Sequence, residues 1–156
     1  MKAAFDAGAD EADVVAPVEA VLAGDVGLVE ELVELCVVER PAGGTLKLIL
    51  ETGRLEDPAV ITAAARAAVM AGVDMLKTST GKTEPGATPE AVGTLLQVIA
   101  EAGGRVGLKV SGGVRTPEQA AGYLALCDER MGAGWATPAT FRIGASSLLD
   151  GLLARL

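Results

Sequence analysis

The chain has 156 residues, a length that suits one domain with a real core, and we expect residues 1–156 to form a single domain. Half of its residues are hydrophobic, which excludes a disordered protein, and its formal net charge of -8 argues against a nucleic-acid partner. The sequence contains no histidine, which excludes Ser-His and Cys-His nucleophile systems and the usual zinc sites.

Short apolar runs predict five strands that alternate with helices along the chain. The predicted strands are residues 12–16, 46–50, 73–78, 106–110 and 141–144. Such alternation is typical of α/β proteins with a parallel sheet, either an open sheet or part of a (β/α)8 barrel. A complete barrel typically takes ~250 residues, so this chain would form only part of one.

Helical spacing and capping residues predict the intervening helices. They cover residues 25–39, 57–72, 88–103, the segment from 116 onward, and 148–156. Asp57, Thr88 and Thr116 each precede a proline, the arrangement expected of a helix N-cap followed by proline in the first turn. Residues 2–8 look like the last turns of a further helix that ends at Gly8.

The helix at residues 25–39 carries a stripe of apolar residues that we expect to face the core. The stripe consists of Leu28, Leu32, Leu35 and Cys36, with glutamates on the other face. Cys36 and Cys127 lack metal-ligand spacing, and we expect both to be small buried side chains in a reducing compartment. No signal peptide and no membrane-length apolar run are visible, which favours a cytoplasmic protein without a membrane partner.

Two lysines stand at the ends of predicted buried strands. Lys77 and Lys109 each follow a short apolar run and precede a turn rich in glycine and small residues. Burial and a neighbouring cation both disfavour a charged amine, and a neutral amine can attack a carbonyl to form a Schiff base. Their separation of 32 residues is about one βαβ unit, so we expect neighbouring parallel strands with both amines at one end of the sheet.

Three strand-to-helix turns have the composition of anion sites. They are the segments 80–82, 112–115 and 144–147. Exposed backbone N–H groups, hydroxyls and helix N-termini all favour an anion such as phosphate. The sequence therefore predicts a phosphate-binding edge beside the two lysines.

These segments closely resemble deoxyribose-phosphate aldolases over essentially the whole chain. The matching motifs are Gly8–Val15, Leu46–Gly53, Lys77–Lys82, Lys109–Thr116 and Arg142–Ser147. The resemblance implies a class I aldolase on a TIM (β/α)8 barrel, of which this chain would supply about the C-terminal five βα units. It also implies reversible cleavage of 2-deoxy-D-ribose 5-phosphate to acetaldehyde and D-glyceraldehyde 3-phosphate, with no metal or other cofactor.

The same resemblance assigns roles to individual residues. Lys77 corresponds to the Schiff-base nucleophile, Lys109 to the second lysine that tunes it and helps to move protons, and Asp13 to the acid–base aspartate. The positions that correspond to the phosphate site or adjoin it are Gly81, Lys82, Gly112, Gly113, Val114, Arg115, Gly144, Ser146 and Ser147.

Other polar and aromatic residues are given structural roles. We expect Lys47 and Glu51 to form a structural pair on one strand rather than to act as catalysts, and Tyr123 and Trp135 to pack in the core.

Alternative functions remain open at this stage. Another Schiff-base sugar-phosphate lyase or a transaldolase would also use a strand-end lysine, and a non-catalytic remnant of the aldolase could retain phosphate binding alone. We expect the chain to begin within a βα unit, just before the fourth strand of the barrel. Five strands would leave two sheet edges, and we therefore expect a homo-oligomer whose interface includes Val14, Val15, Phe141 and Ile143.

Overall fold

The computed structural model describes residues 1–155, which form a five-stranded parallel sheet with helices packed on one face. The strands are β1 (Glu11–Val15), β2 (Thr45–Ile49), β3 (Met75–Lys77), β4 (Gly107–Ser111) and β5 (Phe141–Gly144). They lie in the order β1-β2-β3-β4-β5, and every neighbouring pair is parallel. All five predicted strands are therefore confirmed, and the carboxyl ends of all five lie at the same edge.

Eight helices are present within the described residues, and two of them were not predicted. They are α1 (Lys2–Asp6), α2 (Val18–Leu22), α3 (Gly27–Glu39), α4 (Thr52–Leu55), α5 (Pro58–Met70), α6 (Pro89–Glu101), α7 (Pro117–Met131) and α8 (Leu148–Leu153). The unpredicted helices, α2 and α4, are single short turns that follow β1 and β2. The three predicted N-caps are confirmed: the side chains of Asp57, Thr88 and Thr116 each accept a hydrogen bond from a backbone N–H in the first turn.

The sheet curls strongly, as a segment of a barrel wall does. In a flat sheet, β1 and β5 would lie about 19 Å apart, four strand spacings of roughly 4.8 Å. Instead, the Nη2 atom of Arg142 on β5 lies 3.2 Å from the Oε1 atom of Glu11 on β1. Side chains from the two outermost strands can meet only across a concave face. The fold is thus a partial (β/α)8 barrel in which β1 and β5 are the edges among residues 1–155.

The apolar core lies between the convex face of the sheet and the helices. Alternation along β2 explains the division of the two faces. Leu46, Leu48 and Leu50 are fully buried toward the helices, whereas Lys47 between them points into the concave face. Leu95 and Leu96 of α6 are also fully buried. The concave face can therefore carry polar side chains, because it lies outside the apolar core.

The structure confirms the apolar stripe predicted for helix α3 only in part. Its buried residues are Val29, Val33 and Cys36, whereas Leu28 is exposed and Leu35 is 68% exposed. Both stripes have helical spacing, so periodicity alone could not choose between them. Of the predicted stripe, Cys36 is buried and Leu32 packs partly buried against the core, so the prediction is wrong only for Leu28 and Leu35.

The remaining structural expectations concern cysteines and aromatic residues. Both cysteines are buried and unpaired, as predicted, and burial raises the pKa of Cys127 to about 11. Tyr123 and Trp135 are partly buried against the core, and each donates a hydrogen bond to a backbone carbonyl oxygen. Among the helices described, none combines the length and the apolar character needed to cross a membrane.

Candidate active site

Three lysine amines converge on one carboxylate inside the concave face. The Oδ2 atom of Asp13 accepts hydrogen bonds from Lys77 Nζ at 2.6 Å and from Lys109 Nζ at 2.7 Å. Its Oδ1 atom accepts a third from Lys47 Nζ at 3.1 Å. The amines of Lys77 and Lys109 are therefore no more than about 5.3 Å apart, the sum of their distances to the shared oxygen, which is close enough for each charge to affect the other.

Strand register brings these side chains together. Lys77 and Lys109 are direct partners across the β3–β4 pair, and Asp13 and Lys47 are direct partners across the β1–β2 pair. Because alternate residues of a strand share a face, all four side chains point into the same concavity. The structure confirms the prediction that Lys77 and Lys109 lie on neighbouring strands at the same end of the sheet.

The amines differ in their access to solvent. The side chain of Lys77 is 10% exposed, that of Lys109 is 21% exposed and that of Lys47 is 4% exposed. The amine of Lys47 is therefore the least accessible to solvent of the three. A molecule that enters the concave face meets Lys77 and Lys109 first.

The electrostatics of the cluster favour an ionised aspartate. Burial alone would raise the pKa of Asp13, but the hydrogen bonds from the lysines, that of Lys109 foremost, outweigh burial and hold its pKa well below the ordinary value. A carboxylate held ionised between two amines gives both of them a hydrogen-bond acceptor and a counter-charge. The arrangement thus places two amines and a shared carboxylate within hydrogen-bond reach, groups that can take part in nucleophilic and acid–base chemistry.

A second carboxylate, Glu11, lies two residues before Asp13 on β1 and was not identified from the sequence. The Oε2 atom of Glu11 lies 2.6 Å from Lys47 Nζ, and its Oε1 atom lies 3.2 Å from Arg142 Nη2. The hydrogen bond from Lys47 lowers the pKa of Glu11 below its ordinary value. The alternation of Glu11 with Asp13 along β1 was a signal that could have placed both carboxylates on one face.

The predicted pair of Lys47 with Glu51 is wrong. Lys47 bonds to Asp13 and Glu11, whereas the Glu51 carboxylate accepts hydrogen bonds from Thr80. The reason is local: Glu51 lies just beyond β2 with a φ of 54°, so the strand alternation that places Lys47 in the concavity does not extend to it.

A cleft of about 350 Å³ opens beside Lys109 at the carboxyl edge of the sheet. Eight of the nine residues predicted around a phosphate line it: Gly81, Gly112, Gly113, Val114, Arg115, Gly144, Ser146 and Ser147. Ala145 and Glu84 complete the lining. The ninth predicted residue, Lys82, does not line the cleft and is exposed.

The cleft and the amines adjoin each other at Gly144. A Cβ atom at Gly144 would lie 3.3 Å from Lys109 Cε and 2.9 Å from Ser111 Cβ, so the glycine brings the end of β5 against β4. Arg115 Nη2 lies 3.8 Å from Glu84 Oε1 at the rim, an exposed pair that contributes little. A phosphate would compete with Glu84 for this arginine.

Buried hydroxyl groups fix the ends of β3 and β4. Thr78 Oγ1 donates to the Ser111 carbonyl oxygen at 2.9 Å and accepts from Ser111 N–H at 2.9 Å. Ser111 Oγ in turn donates to the carbonyl oxygen of Ser79. These bonds hold the loops that follow the two lysine strands at one relative position.

Other features of the described chain offer no alternative centre for this chemistry. A larger groove of about 590 Å³ lies along α6 and α7 and includes Pro89, Tyr123 and Leu126, but none of its lining residues among 1–155 is a lysine. Within the same residues, no group of three or more aspartate, glutamate or cysteine side chains has the arrangement of a metal site. The amine cluster and its adjoining cleft are the candidate active site.

Comparison with known proteins identifies the family of this chain, and the similar solved structures agree with it. Residues 1–152 match the model of the DeoC/LacD family aldolases. The chain is 30% identical to a protein from Coccidioides immitis assigned provisionally as a deoxyribose-phosphate aldolase (TM-score 0.81), covering 99% of this chain and 56% of that one. It is 28% identical to a similarly assigned protein from Toxoplasma gondii ME49 (TM-score 0.88), covering 98% and 61%.

A third similar structure is the deoxyribose phosphate aldolase from Aeropyrum pernix, which is described as a unique tetramer. It is 30% identical with a TM-score of 0.67, covering 97% of this chain and 58% of that one. The chain thus spans less than two thirds of the length of each of these three relatives.

Proposed function

We propose that this chain, which belongs to the DeoC/LacD family of aldolases, carries out Schiff-base cleavage of 2-deoxy-D-ribose 5-phosphate. The products would be acetaldehyde and D-glyceraldehyde 3-phosphate, and the reaction would be reversible. The observation that carries the proposal is the pair of amines, Lys77 and Lys109, hydrogen-bonded to one oxygen of Asp13. The adjoining cleft supplies a place for the phosphate.

In the proposed reaction, Lys77 is the nucleophile. Its ammonium group first gives up a proton, and the neutral amine adds to the aldehyde carbon C1 of the open-chain sugar. The carbinolamine then takes up a proton and loses water to give an iminium ion. A base then takes the proton of the C3 hydroxyl, and the C2–C3 bond breaks. Glyceraldehyde 3-phosphate departs, and the electron pair of that bond moves into an enamine on C1 and C2. Protonation at C2 and hydrolysis release acetaldehyde and restore the amine.

Asp13 and Lys109 are proposed to move the protons. Their hydrogen bond of 2.7 Å lets a proton pass between ammonium and carboxylate as each intermediate gains or loses charge. Lys47 and Glu11 would orient Asp13 from below, because Lys47 occupies the Oδ1 atom and leaves Oδ2 to the two catalytic amines.

The cleft is proposed to bind the phosphate group of the sugar. Backbone N–H groups of its glycine turns, the hydroxyls of Ser146 and Ser147, and the Arg115 guanidinium would provide the contacts. Lys82 follows Gly81 on the same loop and would add positive charge at the rim without a direct contact in the present geometry.

Borohydride trapping with acetaldehyde tests the nucleophile. Reduction of the imine should leave one ethyl group on Lys77, which peptide mass spectrometry can locate. Lys77→Met should remove this label and retain a cooperative thermal melt, whereas Lys2→Met, which changes an exposed lysine, should label as the parent protein does. Labelling of Lys77→Met equal to that of the parent would refute the assignment.

A second candidate function is phosphate binding without catalysis. It is favoured by one observation: among the described residues, those that line the cleft include none of the three lysines bonded to Asp13, so the cleft could bind an anion without the amines. In that case, calorimetry would detect phosphate binding while borohydride traps no adduct. Turnover of fructose 6-phosphate in a product assay would indicate a transaldolase instead of either the aldolase or a phosphate-binding protein.

We further propose a homo-oligomer in the cytoplasm. The similar protein from Aeropyrum pernix is described as a tetramer, and Val15 is exposed at the β1 edge of the sheet. The other predicted interface residues are less accessible, since Phe141 is buried and Val14 and Ile143 are partly buried. Light scattering that gives a monomer mass across the working concentration range would refute an oligomer.

A further inference from the structure

Glu51 is a buried acid in a backbone conformation that side chains seldom adopt. It follows β2, is 4% exposed and has a φ of 54°, in the left-handed region. Such a conformation is unfavourable for a residue other than glycine, and a buried carboxylate adds a desolvation cost. Both costs persist only where the surrounding structure gives the side chain good partners.

The partners of Glu51 all belong to the loop that follows β3. Thr80 Oγ1 donates to Glu51 Oε2 at 2.6 Å, and the Thr80 backbone N–H points at both carboxylate oxygens at 3.3 Å. The same Thr80 hydroxyl accepts the backbone N–H of Lys82 at 3.2 Å. A chain of hydrogen bonds thus runs from Lys82 through Thr80 to Glu51, and it closes the turn around Gly81.

The backbone on either side of Glu51 is fixed to the end of β3. Leu50 N–H donates to the Lys77 carbonyl oxygen at 2.9 Å, and Thr52 N–H donates to the Thr78 carbonyl oxygen at 2.9 Å. These bonds hold Glu51 opposite the loop rather than in the concavity. Its carboxylate therefore has a fixed position against which the turn can be ordered.

The turn that Glu51 orders is one wall of the cleft beside the amines. Gly81 lines the cleft together with Gly113 and Ser146. It lies between Thr80 and Lys82, the two residues whose hydrogen bonds close the turn.

We propose that Glu51 is a positioning residue that sets the conformation of the Thr80–Lys82 turn for anion binding in the cleft. This inference rests on the proposed phosphate role of the cleft. Glu51 acts through Thr80 and does not touch the anion, because its two oxygens already face the Thr80 N–H and hydroxyl. A carboxylate held in this way orders an anion site without occupying it.

The test compares two disrupting variants with two matched controls. Glu51→Gln keeps the side-chain shape and removes the charge, and Thr80→Val removes the hydroxyl that links Lys82 to Glu51. Glu90→Gln and Thr94→Val make the same chemical changes on α6, where Glu90 is exposed and the Thr94 hydroxyl bonds only within its own helix. If Glu51→Gln fails to fold, Glu51→Gly relieves the positive φ and removes the carboxylate in one step.

The first measurement is the Kd of inorganic phosphate by calorimetry. We expect both disrupting variants to bind phosphate about tenfold or more weakly, since each removes or weakens a hydrogen bond to the Glu51 carboxylate. The controls should bind as the parent protein does. Parent-like Kd values in both disrupting variants, an equal loss in the controls, or a parent protein that binds no phosphate would each overturn the inference.

The second measurement separates positioning from a general structural defect. For 2-deoxyribose 5-phosphate, the variants should show a raised KM with kcat retained, while cleavage of 2-deoxyribose without phosphate and acetaldehyde labelling of Lys77 should not change. An equal loss with both sugars would overturn the inference. If the parent protein cleaves neither sugar, the proposed function fails, and the phosphate Kd values still decide the role of Glu51.

Discussion

Replacement of Asp13 by asparagine tests the charge cluster most directly. The aspartate is the common acceptor of three ammonium groups at 2.6, 2.7 and 3.1 Å, and its side chain is 24% exposed. An asparagine oxygen can accept two of these bonds at most, and its NH₂ group would face the third lysine. The variant therefore loses one charge-assisted bond, weakens two others and leaves Lys77 and Lys109 without their counter-charge, whereas Lys47 retains Glu11.

The expected cost follows from these losses. One charge-assisted hydrogen bond contributes about 1.5–3 kcal/mol, and the removal of one partner from a fully buried ion pair costs about 3–5 kcal/mol. Because Asp13 is partly exposed, we expect the free energy of unfolding to fall by about 3 kcal/mol. For a chain of this length, that corresponds to a decrease in Tm of roughly 6–12 °C.

The pH dependence of this difference provides a second check. The folded-state pKa of Asp13 is lowered, so its contribution to stability is present above the unfolded pKa of about 3.9 and is lost as the pH falls through the folded value. Thermal melts of parent and variant should thus differ fully at pH 7 and converge as the pH falls below about 4.

A matched control is Asp6→Asn, which breaks an exposed pair with Lys2 and should leave the Tm unchanged within error. If Asp13→Asn melts with the parent at pH 7, or if their difference persists at low pH, the cluster does not stabilise the fold in the way argued.

Three further predictions concern packing and the proposed nucleophile. Gly53→Ala should destabilise the protein by about 1–3 kcal/mol, because the added Cβ would clash with the backbone carbonyl oxygen of Pro85. Gly93→Ala, whose Cβ would meet nothing within 4 Å inside α6, should stabilise the protein by about 0.5–1 kcal/mol, and denaturant melts that rank the two variants otherwise would contradict this. Val33→Ala should lower the free energy of unfolding by about 2 kcal/mol and Val38→Ala should hardly change it, since the first side chain is fully buried and the second is 82% exposed. Equal decreases in Tm would contradict the assignment of the core face of α3. Lys109→Leu removes a cation beside the proposed nucleophile and should move the rate–pH profile to higher pH; a profile that does not move would mean that the two amines are uncoupled.

The lysine pair was predictable because it depends on local rules. A spacing of one βαβ unit and an apolar run before each lysine were enough to expect Lys77 and Lys109 at the same end of neighbouring strands. The role of Asp13 required more, since a carboxylate at the start of an apolar run has many explanations. The family resemblance suggested it, and the β1–β2 register then explains how Asp13 reaches the amines.

The unpredicted parts of the site depend on non-local geometry. Glu11 and Arg142 are 131 residues apart and meet only because the sheet curls, and no local pattern measures curvature. Glu51 was misassigned because strand alternation was extended by two residues past β2, where the backbone enters the left-handed region. The prediction for the core face of α3 was only partly right for another reason. Two overlapping stripes fitted the helical period, and only packing against the sheet selects between them.

The charge balance of the concave face bears on the proposed chemistry. Four cations, Lys47, Lys77, Lys109 and Arg142, face two carboxylates, Glu11 and Asp13, so the formal charge there is positive within a protein of net charge -8. A positive concavity in an acidic protein would attract an anion such as the proposed sugar phosphate. In the proposed reaction, conversion of an ammonium to an iminium ion would create no new charge in this site, and the enamine would form by neutralising one cation among several. The cluster would therefore favour breakage of the C2–C3 bond, in which the electron pair moves toward the iminium nitrogen. Asp13 would reduce the repulsion among the remaining cations.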